Sequence, residues 1–178
     1  TPSNFRTTER LTEWAEKWQT QFNVSKCKVM HVGRNNKRFK YEMNGSALEE
    51  TEVERDLGVW VENTLKPGVQ CQAAASEANR TLGLIMRTFH FRKKETLVPL
   101  YKALVRPKLE FAAASWNPWL AKGIDCLEKV QRRLVRSLSN VAGMTYEAKL
   151  EDAGLMLLEE RRRKGDAVEA FKCIRGFT

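Results

Sequence analysis

Ile124-Asp125-Cys126-Leu127-Glu128-Lys129-Val130-Gln131-Arg132-Arg133-Leu134-Val135-Arg136-Ser137-Leu138 reads as one amphipathic helix. Turning about 100° per residue puts Ile124, Leu127, Val130, Leu134 and Leu138, with Val141 beyond them, on one face. Lys129, Arg132, Arg133 and Arg136 fall opposite. The first face can pack while the second stays free to meet a polyanion. The spacing predicts a helix over residues 124–140, and the plainer reading of its basic face is that it keeps the helix in solution.

Helical periodicity continues on both sides. Upstream, Cys71, Ala75, Ala78, Leu82, Ile85, Met86 and Phe89 form a stripe on a segment opened by Val69-Gln70-Cys71, with Arg80 and Arg87 seven apart on another side. Its small residues predict close helix packing. Leu97, Leu100, Tyr101, Leu104 and Val105 form the next stripe. Pro107 should kink or break it, because proline lacks an N–H and clashes with the preceding turn. Trp116-Asn117-Pro118-Trp119 reads as a stop. Downstream, helices are expected near Tyr146–Asp152 and over 157–174, with Gly154 and Gly165 as weak points.

Before residue 64 the pattern differs. Leu11, Trp14, Ala15, Trp18 and Phe22 predict an amphipathic helix over residues 9–22, ending near Asn23. Residues 26–32 are strand-compatible, and 33–38 form a basic polar turn. Phe39, Tyr41 and Met43 alternate with polar residues up to Asn44-Gly45, a strong hairpin signal, with a return strand through Leu48. After an acidic stretch, Leu57-Gly58-Val59-Trp60-Val61 reads as a further strand. The fold class is therefore α+β: a short helix with an antiparallel hairpin and strands over about 1–63, then an all-helical bundle over about 64–178.

Composition narrows the function. Lys and Arg number 31 against 22 acids, a net charge of +9 that favours nucleic acid or an anionic membrane surface as partner. The charge is uneven. Glu49, Glu50, Glu52, Glu54 and Asp56 crowd one short stretch, whereas most arginines follow residue 80, including Arg161-Arg162-Arg163-Lys164. Hydrophobic content of 42% and five tryptophans supply a core and argue against disorder. No run approaches the roughly 18 apolar residues of a membrane span, and no basic-then-apolar leader opens the chain, so a soluble intracellular protein is expected.

Catalytic signatures are sparse. Cys27, Cys71, Cys126 and Cys173 lie too far apart for metal-ligand spacing, with only His31 and His90 to help, so no zinc site is readable. They suit small buried thiols in a reducing compartment. The sequence contains no glycine-rich phosphate loop, nucleophile elbow, paired carboxylates in an apolar setting or His–Glu metal motif. The residues alone describe a nucleic-acid-binding module without an active site of its own.

Several runs, in order, add a family resemblance. Leu11-Thr12-Glu13-Trp14-Ala15-Glu16-Lys17-Trp18 and Phe22-Asn23-Val24-Ser25-Lys26-Cys27-Lys28-Val29-Met30 come first, then Tyr41-Glu42-Met43-Asn44-Gly45 and Asp56-Leu57-Gly58-Val59. Leu100-Tyr101-Lys102-Ala103-Leu104-Val105-Arg106-Pro107-Lys108-Leu109-Glu110-Phe111, Trp116-Asn117-Pro118, Leu127-Glu128-Lys129-Val130-Gln131-Arg132-Arg133, Gly154-Leu155 and Leu158-Glu159-Glu160-Arg161-Arg162 follow. Together these span nearly the whole chain. They resemble the region after the catalytic motif in reverse transcriptases of LINE-type, non-LTR retrotransposons of the jockey-like group.

The resemblance implies a position inside an RNA-directed DNA polymerase. Residues 9–32 would be the end of the palm, the hairpin and Leu57-Gly58-Val59 the primer grip, and the helices after 64 the thumb. Its partner would be an RNA/DNA template–primer duplex, gripped by phosphates rather than base edges because its sequence changes at every step. The expected contacts are Leu57, Gly58, Val59, Arg80, Arg87, Lys129, Arg132, Arg133 and Arg136. By similarity, Lys26 could protonate the departing pyrophosphate; by itself it reads as an exposed strand-end lysine. Polymerases of this kind bind two metal ions, magnesium in the complete enzyme, on aspartates that include a Phe/Tyr-Ala-Asp-Asp turn.

No such turn occurs here. A chain running from Thr1-Pro2 to Phe177-Thr178 is therefore expected to be a fragment that lacks the fingers and the rest of the palm, inactive alone and without a cofactor of its own. Family analogy implies a nuclear location. Two alternatives stay open: a free-standing nucleic-acid binder, and an inert remnant of a retrotransposon.

Overall fold

Helix α1 spans Phe5–Lys17 in a computed structural model that describes residues 5–139 and 141–177. Asn140, Thr1, Pro2 and Thr178 lie outside the described residues, and the helix expected to reach residue 140 ends before it, at Ser137, where Leu138 turns extended. Periodicity predicted a helix to residue 22, but the chain turns away at Lys17. Thr20 N–H donates to Ala15 O at 2.9 Å and Gln19 N–H to Glu16 O at 3.1 Å, with Gln19 at φ 50°. That paired closure ends a helix, and it leaves Trp14 and Trp18 exposed. The described residues form two compact units, the first ending at Leu65 and the second starting at Lys66.

The first unit carries the short strands. A 3₁₀ turn, Val24–Lys26, is capped by Asn23, whose Oδ1 accepts from the Ser25 N–H at 3.1 Å and hydroxyl at 2.6 Å. Only Lys28–Val29, strand β1, then becomes extended, which shortens the strand expected over 26–32. Asn44 and Gly45, at φ 51° and 71°, turn β2 (Glu42–Met43) back as β3 (Ser46–Ala47). Both central residues at positive φ make the hairpin turn that matches strand twist.

Two expectations fail here. β4 (Glu49–Glu50) pairs with β1 in parallel, so the strands are not all antiparallel. The pairing draws the acidic stretch beside Lys28, whose Nζ lies 3.0 Å from Glu54 Oε2 and 4.0 Å from Glu49 Oε2. Nor is 57–61 one strand. Val53–Asp56 (β5) and Val59–Glu62 (β6) pair antiparallel, and Leu57-Gly58 is the turn between them, at φ 45° and 91°. Leu57 is 90% exposed in a backbone region that costs a non-glycine residue about 1 kcal/mol.

The second unit is helical. After α2 (Gly68–Thr88) come α3 (Lys94–Leu100), a π-helical stretch (Tyr101–Val105) and α4 (Arg106–Glu110) without interruption. Pro107 therefore does not break the chain's helical course. It lies just past the π-helical stretch, whose i→i+5 register already departs from the i→i+4 ladder that a proline would interrupt. Helix α5 (Ala113–Trp116) ends at the expected stop, followed by α6 (Ala121–Ser137), α7 (Tyr146–Asp152) and α8 (Leu158–Arg175). Gly154, at φ 58°, closes α7, while Gly165 is carried inside α8.

The core joins α2 to α6. Ala74, Ala75, Ala78 and Leu82 are buried against the face that carries Leu127, Val130, Leu134 and Leu138, with Leu97, Tyr101, Val105 and Leu109 completing it. Gly123 allows the start of α6 to approach: a Cβ there would sit 2.8 Å from Pro118 Cβ and 3.3 Å from Cys71 Sγ.

A polar node lies within this core. Tyr101 Oη donates to Gln131 Oε1 at 2.9 Å, and Gln131 Nε2 donates to Met156 O at 2.9 Å and to Glu128 Oε1 at 3.1 Å. Glu128 also accepts from the Tyr146 hydroxyl, and through Oε2 from the Leu158 N–H at 3.0 Å. Arg162, 3% exposed, donates from Nε to Asn117 Oδ1 at 3.2 Å. Burial pushes its pKa down, opposed by the charge of Glu128.

Two substitutions test these local constraints. Gly123→Ala should lower stability by about 1–3 kcal/mol in chemical denaturation although alanine is the better helix former, because the proline ring cannot give way. Leu57→Asn should relieve the turn by about 1 kcal/mol, slowing amide exchange across β5–β6 by roughly fivefold.

Candidate nucleic-acid interface

The packing of α2 on α6 leaves a groove of about 840 Å³ along their shared flank. Helical spacing supplies both walls. Lys129, Arg132, Arg133 and Arg136 recur on the α6 face opposite its buried residues, and Arg80 and Arg87 rise from α2 two turns apart. Arg92, in the connection after α2, adds a further cation. Six arginines and one lysine thus line the groove, and no carboxylate is among the described residues that do so. Gly83 also lines the groove, with room for a Cβ, which would meet only Arg133 Nη2, in ordinary contact at 3.8 Å.

The cations are not equally free. Asp125, at the edge, holds Lys129 Nζ at 2.9 Å and Arg132 Nη1 at 2.7 Å. Hydrogen bonding from Lys129, assisted by Arg132, keeps its carboxyl below the usual range, and Asp125 in turn raises the Lys129 ammonium. Arg133 Nη1 donates to Asn79 Oδ1 at 3.1 Å. Among the described residues, no carboxylate pairs with Arg80, Arg87, Arg92 or Arg136. Such a cluster repels itself in the absence of a polyanion and gains by displacing phosphate counterions in its presence.

Six of the residues singled out from sequence therefore share one groove: Arg80, Arg87, Lys129, Arg132, Arg133 and Arg136. The others belong to the first unit. Lys26 is exposed at the end of the 3₁₀ turn. Leu57 and Gly58 form the β5–β6 turn and Val59 opens β6, with Arg55 Nε donating to Gly58 O at 3.4 Å and stacking 6.0 Å from the Trp60 ring.

Arg92, Asn79, Met86 and Ser137 also line the groove and were not read as site residues. The run Arg92-Lys93-Lys94 was the available signal for the first, whereas Met86 was grouped with the apolar stripe. Of the dense run from Arg161 to Lys164 only the first two residues are used internally, and Arg163 and Lys164 are exposed. Arg161 pairs with Glu110, Arg162 is buried, and Lys164 pairs with Glu160 at 2.8 Å.

Among the described residues no group of three or more His, Cys, Asp or Glu side chains gathers as a metal centre. No helix among them is long and apolar enough to cross a membrane. No protein-family model, curated protein or solved structure gives a significant match to the chain.

Asp125 sets a measurable limit on the groove. Asp125→Asn should release the Lys129 ammonium, tightening polyanion binding at low salt and steepening the plot of log affinity against log salt by about 0.9 as the freed lysine meets a phosphate, whereas Arg132, held through Nη1, keeps its other N–H groups for a phosphate in either case. A shallower slope would show that Asp125 orders those cations rather than occupying them.

Proposed function

We propose that the chain serves as the primer-grip and thumb portion of a LINE-type reverse transcriptase, and that the α2–α6 groove holds the backbone of the template–primer duplex. One observation carries the binding half of this reading: seven cations, from two helices and the connection that follows α2, converge on one groove whose described lining has no carboxylate. A lining without aromatic rings suits phosphate contact, which positions a duplex without reading its sequence. The polymerase half rests on the ordered sequence resemblance. In that setting the β5–β6 turn is the second contact, presenting Leu57 outward in a strained conformation. Lys26 would act only beside a catalytic centre that other residues supply.

A free-standing nucleic-acid binder is the second reading. It draws on the groove being complete within the unit that starts at Lys66.

Gel-shift titration of the whole chain with duplex nucleic acid tests the common element. Replacing Arg132, Arg133 and Arg136 together with Ala should reduce the salt slope by about three, close to one per lost phosphate contact, and weaken all sequences alike. Absence of binding by the unmodified chain at low salt would exclude both readings. Primer extension with an upstream palm supplied on the same polypeptide separates them, since a polymerase part must support synthesis and a free-standing binder need not.

A further inference from the structure

We infer that Tyr146, which does not line the groove, is a positioning residue that holds the Arg132 guanidinium ready for a phosphate. The inference rests on the polyanion-binding reading of the groove. Arg132 is held from two sides: its Nη1 donates to Asp125 Oδ1 at 2.7 Å, and its Cζ lies 5.2 Å from the centroid of the Tyr146 ring. A guanidinium over an aromatic face is attracted by the ring quadrupole.

The ring is itself anchored. Its hydroxyl donates to Glu128 Oε1, and that carboxylate is only 4% exposed. Glu128 is fixed in turn by Gln131 Nε2 at 3.1 Å and by the Leu158 N–H, in the first turn of α8, at 3.0 Å. At the other end, Thr145 Oγ1 caps α7 by accepting from the Ala148 N–H at 3.3 Å, which sets the backbone of Tyr146 at the helix start. Burial, reinforced by the Glu128 carboxylate, pushes the phenol pKa well above its ordinary value, so the hydroxyl remains a donor. A line of contacts thus runs from the start of α8 through Glu128 and Tyr146 to a cation in the groove.

The physical consequence is an entropy saved in advance. A free arginine loses substantial rotamer freedom when it grips a phosphate, and one already held against a ring loses less. Tyr146 therefore raises affinity without touching the ligand.

Titration of the full chain with a short labelled DNA duplex, at several salt concentrations, tests this. Tyr146→Leu keeps bulk without the ring quadrupole and should weaken binding roughly three- to fivefold, with the salt slope unchanged because the same phosphates are met. Tyr146→Phe keeps the ring and should retain most of the affinity, which also guards against a folding defect in the leucine variant. In an Arg132→Ala background, Tyr146→Leu should cause no further loss. Equal loss in both backgrounds would overturn the inference while leaving the groove reading intact. Failure of the unmodified chain to bind would remove the groove reading, and this inference with it.

Discussion

Glu128 is a carboxylate in the middle of a helical core, and a charge in that position is strongly unfavourable unless donors surround it. Here the donors are Gln131 Nε2 on the same helix, the Tyr146 hydroxyl at the start of α7, and the Leu158 N–H at the start of α8. The last satisfies a backbone group that a helix start leaves unpaired, and places negative charge where the helix dipole favours it. Three helices are therefore tied to one side chain. Their tying fixes the rotation of α6 about its axis, and that rotation decides which residues face the groove.

Much of this arrangement was legible from residue spacing. The two faces of α6 follow from a 100° turn per residue, and Leu127, Val130 and Leu134 are buried while the basic residues opposite them are not. Asn44-Gly45 declared its turn through residues that tolerate positive φ. Leu57 gave no such sign, since leucine does not advertise a left-handed backbone, and the strand pairing around it is set by partners distant from any local pattern. The parallel pairing of β1 with β4 was hidden for the same reason. Glu128 and Gln131 were hidden differently: Gln131 sits inside the apolar arc and Glu128 beside its edge, but their role depends on Tyr101, Tyr146 and Leu158, which sequence distance separates from them.

The groove was legible only in halves. Each helix showed its basic side, yet nothing local states that those of α2 and α6 open on the same flank; that follows from how Ala74, Ala75 and Ala78 pack and from the closeness permitted by Gly123. The Arg161–Glu110 and Arg162–Asn117 contacts show the converse. A basic run in sequence can be absorbed into the fold, where neighbouring carboxylates and amides leave it little to offer outside. Charge counting locates a region, and pairing decides which charges remain available.

The described lining of the groove offers arginines and a lysine and no aromatic ring for a base to stack on. For a repeating polyanion such a surface makes successive registers nearly equal in energy, so that one-step displacement meets only a low ridge between similar wells. The groove would then behave less as a clamp than as a bearing, retaining a strand laterally while leaving it free along its own axis.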